Sequence, residues 1–386
     1  MSDISDKALL PAGMQDGLPP EAAREAAASA RLVSHFDSWG YARVKPPLVE
    51  FEENFLHGPG QAMAEQTFRM QDPVSQRMLA LRPDMTLQVA RIAHSRLSNS
   101  PRPLRLAYSG QVVRVKGSQL RPERQFGQVG AELIGGAGPT ADVEVVLMAV
   151  EALSASGAQN LSVDLGLPLL AAEVTAGRDL NAAEQRELRT ALNRKDAAGI
   201  KAMTKTLGEK ATVALCGMLG AVGPAQAALD KLQAIDLPAN AAAQCDHLRA
   251  VVDGIVAAAP NVQLTADPVE NRGFEYHTGV TFALFARGVK GELGRGGRYQ
   301  AGNGQDQESA TGLTLFMDTV MQALPAQDTA NTVFLPFGTS ADRARALRTE
   351  GWRTIAALED REDTMAEAKR LGCTHVLVDG VPQELN

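Results

Sequence analysis

Residues 104–134, LRLAYSGQVVRVKGSQLRPERQFGQVGAELI, are the stretch of this sequence that decides the fold. The segment Leu104–Val115 alternates as a strand does, and Gln125–Ile134 is a second strand candidate. The polar segment between them, KGSQLRPER, contains Gly and Pro and is typical of a loop. The stretch therefore predicts an antiparallel hairpin.

Alternation also predicts which side chains of this hairpin share a face. The two faces that could meet one cavity are Phe126, Gln128, Gly130, Glu132 on the second strand and Tyr108, Gly110, Val112, Arg114 on the first. Gln128 and Glu132 point the same way, with a gap at Gly130 between them. A cavity with a guanidinium, a carboxylate and an amide suits a small zwitterion, because Arg can bind a carboxylate through two bonds. A solvated sheet surface is the alternative, and the pattern alone supports it equally.

Helices and further strands surround this hairpin. The predicted helices are Pro20–Gly40, Asp84–Leu97 with Asp84 as N-cap, Asp142–Ser154, and a run over about 167–258 that reads as an insertion. The further strand candidates are Tyr41–Val49, a hairpin of 66–70 with 77–82, and segments at 261–264, 273–286, 290–299 and from 310. The pattern predicts an α+β fold, with an antiparallel sheet flanked by helices in residues 1–325. A small α/β unit of β-α-β-α-β order is predicted at 330–386.

Composition restricts the classes of function. The chain has 386 residues, 45% of them hydrophobic, and a net charge of −7. This charge argues against a broad surface for nucleic-acid phosphates. No uncharged apolar run reaches 18 residues, so no membrane segment is expected. Three scattered cysteines without a CxxC pair fit a reducing cytosol, and a cytoplasmic location is expected.

Two glycine-rich stretches carry further polar residues: NRGFEYHTGVTF at 271–282 and GELGRGGRY at 291–299. Neither has the Lys-Ser/Thr ending of a P-loop, so turns and close strand packing explain the glycines best. The six histidines show no HExxH spacing, and no metal site is expected. No Gly-x-Ser-x-Gly nucleophile motif occurs either.

Five motifs together resemble the core of class II histidyl-tRNA synthetases, over about residues 10–325. They are LPAGMQDGLPPEAA, LRPDMT, YSGQVVRVKGSQLRPERQFGQVGAELIG, NRGFEYHTGVTF and GRGGRY. The resemblance implies a histidine site made of Asp84, Thr86, Arg114, Gln128, Glu132, Arg272, Tyr276, His277 and Tyr299. In that site Asp84 and Thr86 hold the α-amino group, and Arg114, Gln128 and Arg272 lie at the carboxylate end. Glu132 binds the imidazole.

The resemblance also implies that Tyr299 lines the ring pocket, with Tyr276 and His277 beside it. Two positions of the implied histidine site depart from the family pattern. The family usually has Glu where Asp84 stands and a second Tyr where His277 stands.

The nucleotide side departs further from the synthetase pattern. Lys116 replaces the carboxylate two residues after Arg114, and Thr319 in GLTLFMDTV occupies the place of an arginine that contacts the γ-phosphate. Losing one such transition-state donor typically costs about 10²–10³ in rate. The resemblance therefore implies no catalytic residues, little adenylation and no cofactor. Phe126, which matches the residue that stacks on adenine in the family, is kept, so weak nucleotide binding stays an open alternative. The short tail after residue 332 and the acidic balance of charges argue against tRNA reading.

A synthetase-like chain with these losses resembles the regulatory subunits of ATP phosphoribosyltransferase. This resemblance implies a non-catalytic partner of the short-form catalytic subunit, which it activates and through which histidine exerts feedback inhibition. It also implies a hetero-octamer of four plus four chains, with regulatory chains paired through the region around Pro46-Pro47. The alternatives are a divergent histidyl-tRNA synthetase and a synthetase-like amino-acid ligase.

Overall fold

The computed structural model describes residues 9–56, 63–118, 121–270, 276–302, 306–326 and 331–385. The chain divides into two compact units, residues 1–325 and 326–386. Among the described residues, none of the helices combines the length and the apolar character that crossing a bilayer requires.

The larger unit contains twelve strands and twelve helices among its described residues. The strands are β1 Ala42–Arg43, β2 Val49–Phe51, β3 Arg69–Gln71, β4 Met78–Leu81, β5 Leu104–Val113, β6 Gln125–Ile134, β7 Leu161–Gly166, β8 Gly223–Pro224, β9 Gln263–Asp267, β10 His277–Ala286, β11 Gly294–Ala301 and β12 Glu308–Phe316. The helices are α1 Glu21–Ser38, α2 Glu53–Leu56, α3 Thr86–Ser95, α4 Pro139–Ala155, α5 Leu170–Val174, α6 Ala182–Asn193, α7 Ala197–Ala202, α8 Thr204–Leu207, α9 Glu209–Leu219, α10 Ala225–Gln233, α11 Ala239–Ala258 and α12 Met317–Ala323.

A nine-stranded sheet in the order β1-β5-β6-β12-β11-β10-β7-β9-β8 forms the framework. Its centre, from β5 to β7, is antiparallel throughout, and only β1 with β5 and β7 with β9 pair in parallel. Helices cover the sheet, so the predicted α+β class is confirmed.

The predicted hairpin is β5 with β6, paired in antiparallel register with Tyr108 opposite Gly130 and Gly110 opposite Gln128. The first strand ends at Val113, two residues before the predicted end at Val115. The reason is that the backbone N–H of Val115 leaves the ladder and donates to the carbonyl of Gln66.

The two faces of this hairpin belong to different cores. Odd-numbered residues such as Ala107 and Val129 pack with Phe36 of α1 and Val145 of α4. Even-numbered residues such as Tyr108 pack with the start of α3 and with β11. The sheet therefore has one face closed by long helices, and on the other face α3 leaves room for a cavity.

The strand predicted at Tyr41–Val49 is wrong as one element. Only Ala42–Arg43 pairs with β5, and the chain re-enters a strand at Val49, after Pro46-Pro47. Proline lacks the N–H that a ladder needs, so the pair separates the nine-stranded sheet from a small sheet of order β2-β4-β3. The hairpin predicted at 66–70 and 77–82 is β3 with β4 in that small sheet.

The predicted helical run over about 167–258 consists of the helices α5 to α11 and the two-residue strand β8. It packs on the main unit rather than standing apart, because its buried residues continue the core of α1 and α4. The long helix α11 lies close to α4 where Gly254 faces Val143, and a side chain at Gly254 would collide with that valine.

The smaller unit has the predicted β-α-β-α-β order and one further strand. Its elements are β13 Thr332–Leu335, α13 Ala341–Thr349, β14 Arg353–Ala356, α14 Thr364–Arg370, β15 His375–Val378 and β16 Val381–Glu384. The sheet order is β14-β13-β15-β16, and β16 alone pairs in antiparallel.

Candidate functional site

A buried carboxyl group lies at the floor of the open face of the sheet. Glu132 of β6 has no exposed surface. The hydroxyl of Tyr299 donates to its Oε2 at 2.9 Å and that of Tyr108 to its Oε1 at 3.2 Å. Gly312 of β12 stands opposite Glu132, and any side chain there would occupy the space of the carboxylate. The neighbouring strands therefore make room for this acid and surround it with hydroxyls.

Burial raises the pKa of Glu132 from 4.5 to about 8, and the nearby charge of Asp84 adds to the effect. Hydrogen bonds from Tyr299, Thr86 and Tyr108 lower the pKa but do not offset the loss of solvation. Near neutral pH the group is therefore largely a neutral acid. It can donate its proton to a basic nitrogen or, once ionised, accept a bond from one.

The predicted gap at Gly130 is filled by Tyr108. A side chain at Gly130 would collide with the phenol ring of Tyr108, which lies over the glycine. The Tyr108 hydroxyl also lies 2.8 Å from Thr314 Oγ1 and 3.2 Å from Thr86 Oγ1. Alternation along β5 placed Tyr108 on this face but indicated no role for it. Its register opposite Gly130 is the signal that could have revealed one.

Asp84 and Gln128 form a second polar pair in the site. Gln128 Nε2 donates to Asp84 Oδ2 at 2.9 Å, and Gln128 itself is fully buried. The other oxygen of Asp84 accepts the backbone N–H of Thr86 at 2.8 Å. The N-cap role predicted for Asp84 is wrong, because α3 begins only at Thr86 and the N-cap position falls to Met85. The burial of Gln128 and Glu132 excludes the alternative of a solvated sheet surface.

Arg114 follows the end of β5 and has spare hydrogen-bonding capacity. Its Nε donates to the carbonyl of Pro83 at 3.2 Å. Its Nη2 is buried and has no hydrogen-bond partner among the described residues. Burial lowers the pKa of Arg114, and the neighbouring Arg121 and Arg295 act in the same direction. A buried unpaired donor is costly and rare, so this guanidinium is suited to receive an anion.

Aromatic rings close the far side of the cavity. His277 stands opposite Tyr299 in the β10–β11 ladder and stacks on Tyr276 with ring centroids 4.6 Å apart. Tyr276 meets Tyr299 edge-on at 5.8 Å. The residues lining the cavity include Asp84, Thr86, Tyr276, His277, Arg295, Tyr299, Gly312, Thr314 and Phe316.

Eight of the nine residues predicted for the site lie in the described part of the chain, and five of them line this cavity: Asp84, Thr86, Tyr276, His277 and Tyr299. Gln128 and Glu132 lie directly behind them, bonded to Asp84 and Tyr299, and Arg114 bonds to the carbonyl of Pro83 beside Asp84. The ninth, Arg272, lies outside the described residues. Arg295 and Phe316 were not predicted, because single glycine-rich and apolar stretches give no sign of which residue faces a ligand.

On the nucleotide side, the two positions that depart from the synthetase pattern are Lys116 and Thr319. Lys116 is exposed. Thr319 is buried, and its hydroxyl lies within hydrogen-bond distance of the carbonyls of Glu292, at 2.7 Å, and Phe316, at 3.1 Å. The described residues contain no cluster of metal-ligating side chains.

The chain is similar to known proteins over most of its length. A family model described as histidyl-tRNA synthetase matches residues 13–320. A protein of Rhodospirillum centenum named ATP phosphoribosyltransferase regulatory subunit is 53% identical, covering 98% of this chain and 96% of its own. A protein of the same name from Paramagnetospirillum magneticum is 52% identical and covers 98% of both chains.

The fold is shared with a solved structure from Bacillus halodurans, described as an ATP phosphoribosyltransferase regulatory subunit/histidyl-tRNA synthetase. The TM-score is 0.80 at 23% identity, covering 94% of this chain and 96% of that one.

Proposed function

The chain belongs to the family of ATP phosphoribosyltransferase regulatory subunits, built on the histidyl-tRNA synthetase fold, and from this premise we propose that its Glu132 cavity binds free histidine. Its role is regulatory rather than catalytic, and histidine is the end product of the pathway that it regulates.

The observation that carries the proposal is the environment of Glu132. Within the described part of the chain no Lys or Arg pairs with this carboxyl group, and its partners are hydroxyls. A buried acid with a pKa of about 8 and an imidazole with a pKa of about 6.5 can share one proton as a hydrogen-bonded pair. The pair is formed most readily between these two values.

The remaining polar groups of histidine also find partners. The unpaired Nη2 of Arg114 suits the α-carboxylate, because charge-assisted bonds from guanidinium to carboxylate are among the strongest in proteins. Asp84 and Thr86 line the same cavity and suit the α-ammonium. Arg272 at the carboxylate end remains part of the proposal, on the resemblance alone.

Titration calorimetry of the full chain with histidine tests the assignment. We expect binding by the unmodified protein, a strong loss in Arg114→Ala, and binding unchanged in the control Arg105→Ala. Arg105 lies on the opposite face of β5, where it pairs with Glu144. Normal histidine binding by Arg114→Ala would contradict the proposed site.

We also propose that the chain acts with a short-form catalytic subunit in a hetero-octamer of four plus four. Pairing of two regulatory chains through the region around Pro46-Pro47 is supported by the apolar side chains of Leu48, next to this pair, and of Met78 on the small sheet, each about half exposed. Burial of exposed apolar side chains favours association. Three unbridged cysteines support a cytoplasmic location.

Co-purification with the catalytic subunit, followed by the mass of the complex and its activity with and without histidine, tests this assembly. We expect activation by the regulatory chain and inhibition when histidine is added. A catalytic subunit whose activity is the same with and without this chain would contradict it. With a net charge of −7, we expect no tRNA binding.

A further inference from the structure

The carboxylate end of the cavity is bounded by a stack of aromatic and guanidinium groups. Phe316 lines the cavity, and the guanidinium of Arg121 lies 3.9 Å from the centroid of its ring. The same guanidinium lies 5.1 Å from the ring centroid of Phe126, which meets Phe316 edge-on with centroids 6.0 Å apart. Arg114, the proposed partner of the ligand carboxylate, lies 5.1 Å from the same Phe126 ring. The stack therefore stands next to the position of the ligand carboxylate.

Arg121 is fixed in this stack by an ion pair. Its Nε donates to Asp318 Oδ2 at 2.6 Å, and the exposed fractions of the two side chains are only 11% and 14%. Stacking on an aromatic face stabilises a guanidinium further. Arg121 is therefore a fixed member of the stack, and its charge is balanced by Asp318.

The charges around Arg114 are balanced for a zwitterion. Its electrostatic neighbours are the cations Arg121 and Arg295 and the anions Asp84 and Glu292. Arg295 pairs with Glu292, and Arg121 with Asp318. A free amino acid adds one charge of each sign, whereas a nucleotide would add net negative charge where the cations beside Arg114 are already paired.

Resting on the histidine site proposed above, we propose that Arg121 and Phe316 make the cavity specific for histidine with a free carboxylate. A histidine whose carboxyl group is joined to a nucleotide is excluded, because the added group would run into the stack. Arg121 thus acts as a specificity-determining residue from the loop between β5 and β6.

Titration calorimetry of the full chain with three probes tests this inference: histidine, histidyl-sulfamoyl adenosine as the nucleotide conjugate, and AMP. For the unmodified protein we expect heat of binding for histidine only. In Arg121→Ala we expect the conjugate and AMP each to gain about tenfold in affinity or more, since a base that reaches an aromatic face gains stacking. Asp318→Asn, which weakens the ion pair but keeps the shape, should give a smaller gain.

Arg124→Ala is the matched control, since Arg124 lies in the same loop but contacts the carbonyls of Ala12 and Arg114 and the ring of Phe68. We expect its preference among the three probes to equal that of the unmodified protein. Equal affinity of the unmodified protein for histidine and the conjugate, or an unchanged preference in Arg121→Ala, would overturn the inference while leaving the histidine site intact. Failure of histidine itself to bind would instead count against the proposed function. The AMP titrations would then still test whether Arg121 and Phe316 exclude a nucleotide.

Discussion

Two buried carboxyl groups, Glu132 and Asp142, lie against neighbouring residues of the same two strands and have opposite chemistry. Glu132 meets Tyr299 of β11 and stands opposite Gly312 of β12. Asp142 of α4 accepts hydrogen bonds from Arg298 and Thr311. These two residues directly precede Tyr299 and Gly312 in the same strands. Because side chains alternate along a strand, the two acids lie on opposite faces of the sheet.

The partners of Asp142 complete its hydrogen bonding. Arg298 Nη2 donates to Asp142 Oδ2 at 2.8 Å, His247 Nε2 lies 2.6 Å from the same oxygen, and Thr311 Oγ1 donates to Oδ1 at 2.6 Å. The remaining donors of Arg298 reach the carbonyls of Gly136 and Gly138 and the hydroxyl of Ser309. Both oxygens of Asp142 and all three guanidinium nitrogens of Arg298 therefore have partners within the described part of the chain.

Glu132 has the same burial but hydroxyl partners, and the nearby Arg114 keeps an unpaired donor. The comparison teaches that burial alone does not identify a binding site. A buried acid that a buried cation neutralises stabilises the fold, and one that carries its proton in a cavity is available to a ligand.

The largest effect that this comparison predicts is on stability. Asp142→Ala leaves Arg298 buried without its counter-ion, so we expect the free energy of unfolding to fall by about 3–5 kcal/mol. Urea unfolding followed by circular dichroism measures the change. A loss below about 1 kcal/mol would mean that Asp142 is not the structural member of the pair.

The second effect is on binding. In Glu132→Gln we expect the affinity for histidine to fall by about 2 kcal/mol or more, roughly thirtyfold, because the imidazole loses the carboxyl group with which it would share a proton. Calorimetry measures it, with Glu144→Gln as control, since Glu144 pairs with Arg105 on the other face of the sheet. A folded Glu132→Gln protein with unchanged affinity would remove Glu132 from the site.

A third effect is the pH dependence of stability. The pKa of Glu132 is about 8 in the folded chain and 4.5 as the reference value, so the folded state binds more protons between these values. The contribution of Glu132 to stability is therefore full below pH 4.5 and is lost as pH rises towards 8. Urea unfolding of the unmodified protein and of Glu132→Gln at several pH values measures this contribution. We expect the difference between their free energies of unfolding to change as pH rises from 4.5 to 8. A difference that stays constant over this range would contradict the assignment.

The smallest effect concerns one hydroxyl of the structural cluster. Thr311→Val removes a single hydrogen bond to Asp142 and leaves Arg298 and His247 in place. We therefore expect the free energy of unfolding to fall by about 1 kcal/mol. Thermal unfolding measures it, and histidine affinity should stay the same. A change in affinity equal to that of Glu132→Gln would show that the two faces of the sheet are not independent.

Much of the candidate site could be predicted from one strand. Alternation along β6 placed Gln128 and Glu132 on the same face, and the resemblance carried by the motifs supplied the fold and the family. The N-cap predicted at Asp84 was wrong, because α3 begins two residues later and Met85 takes the N-cap position. The prediction of one strand at Tyr41–Val49 failed because a proline pair breaks the ladder. The proline pair indicated where the strand ends, but not that the chain passes to another sheet there.

The sequence by itself determined the antiparallel hairpin, the faces of its strands and the family, because these follow from the two-residue period of a strand and from ordered motifs. Only the tertiary structure decided that Tyr108 fills the space over Gly130, that Arg121 pairs with Asp318, and that Asp142 meets Arg298. The last two pairs are 197 and 156 residues apart in the chain. Periodicity is a property of a few neighbouring residues, whereas the partner of a buried charge depends on how distant strands and helices pack.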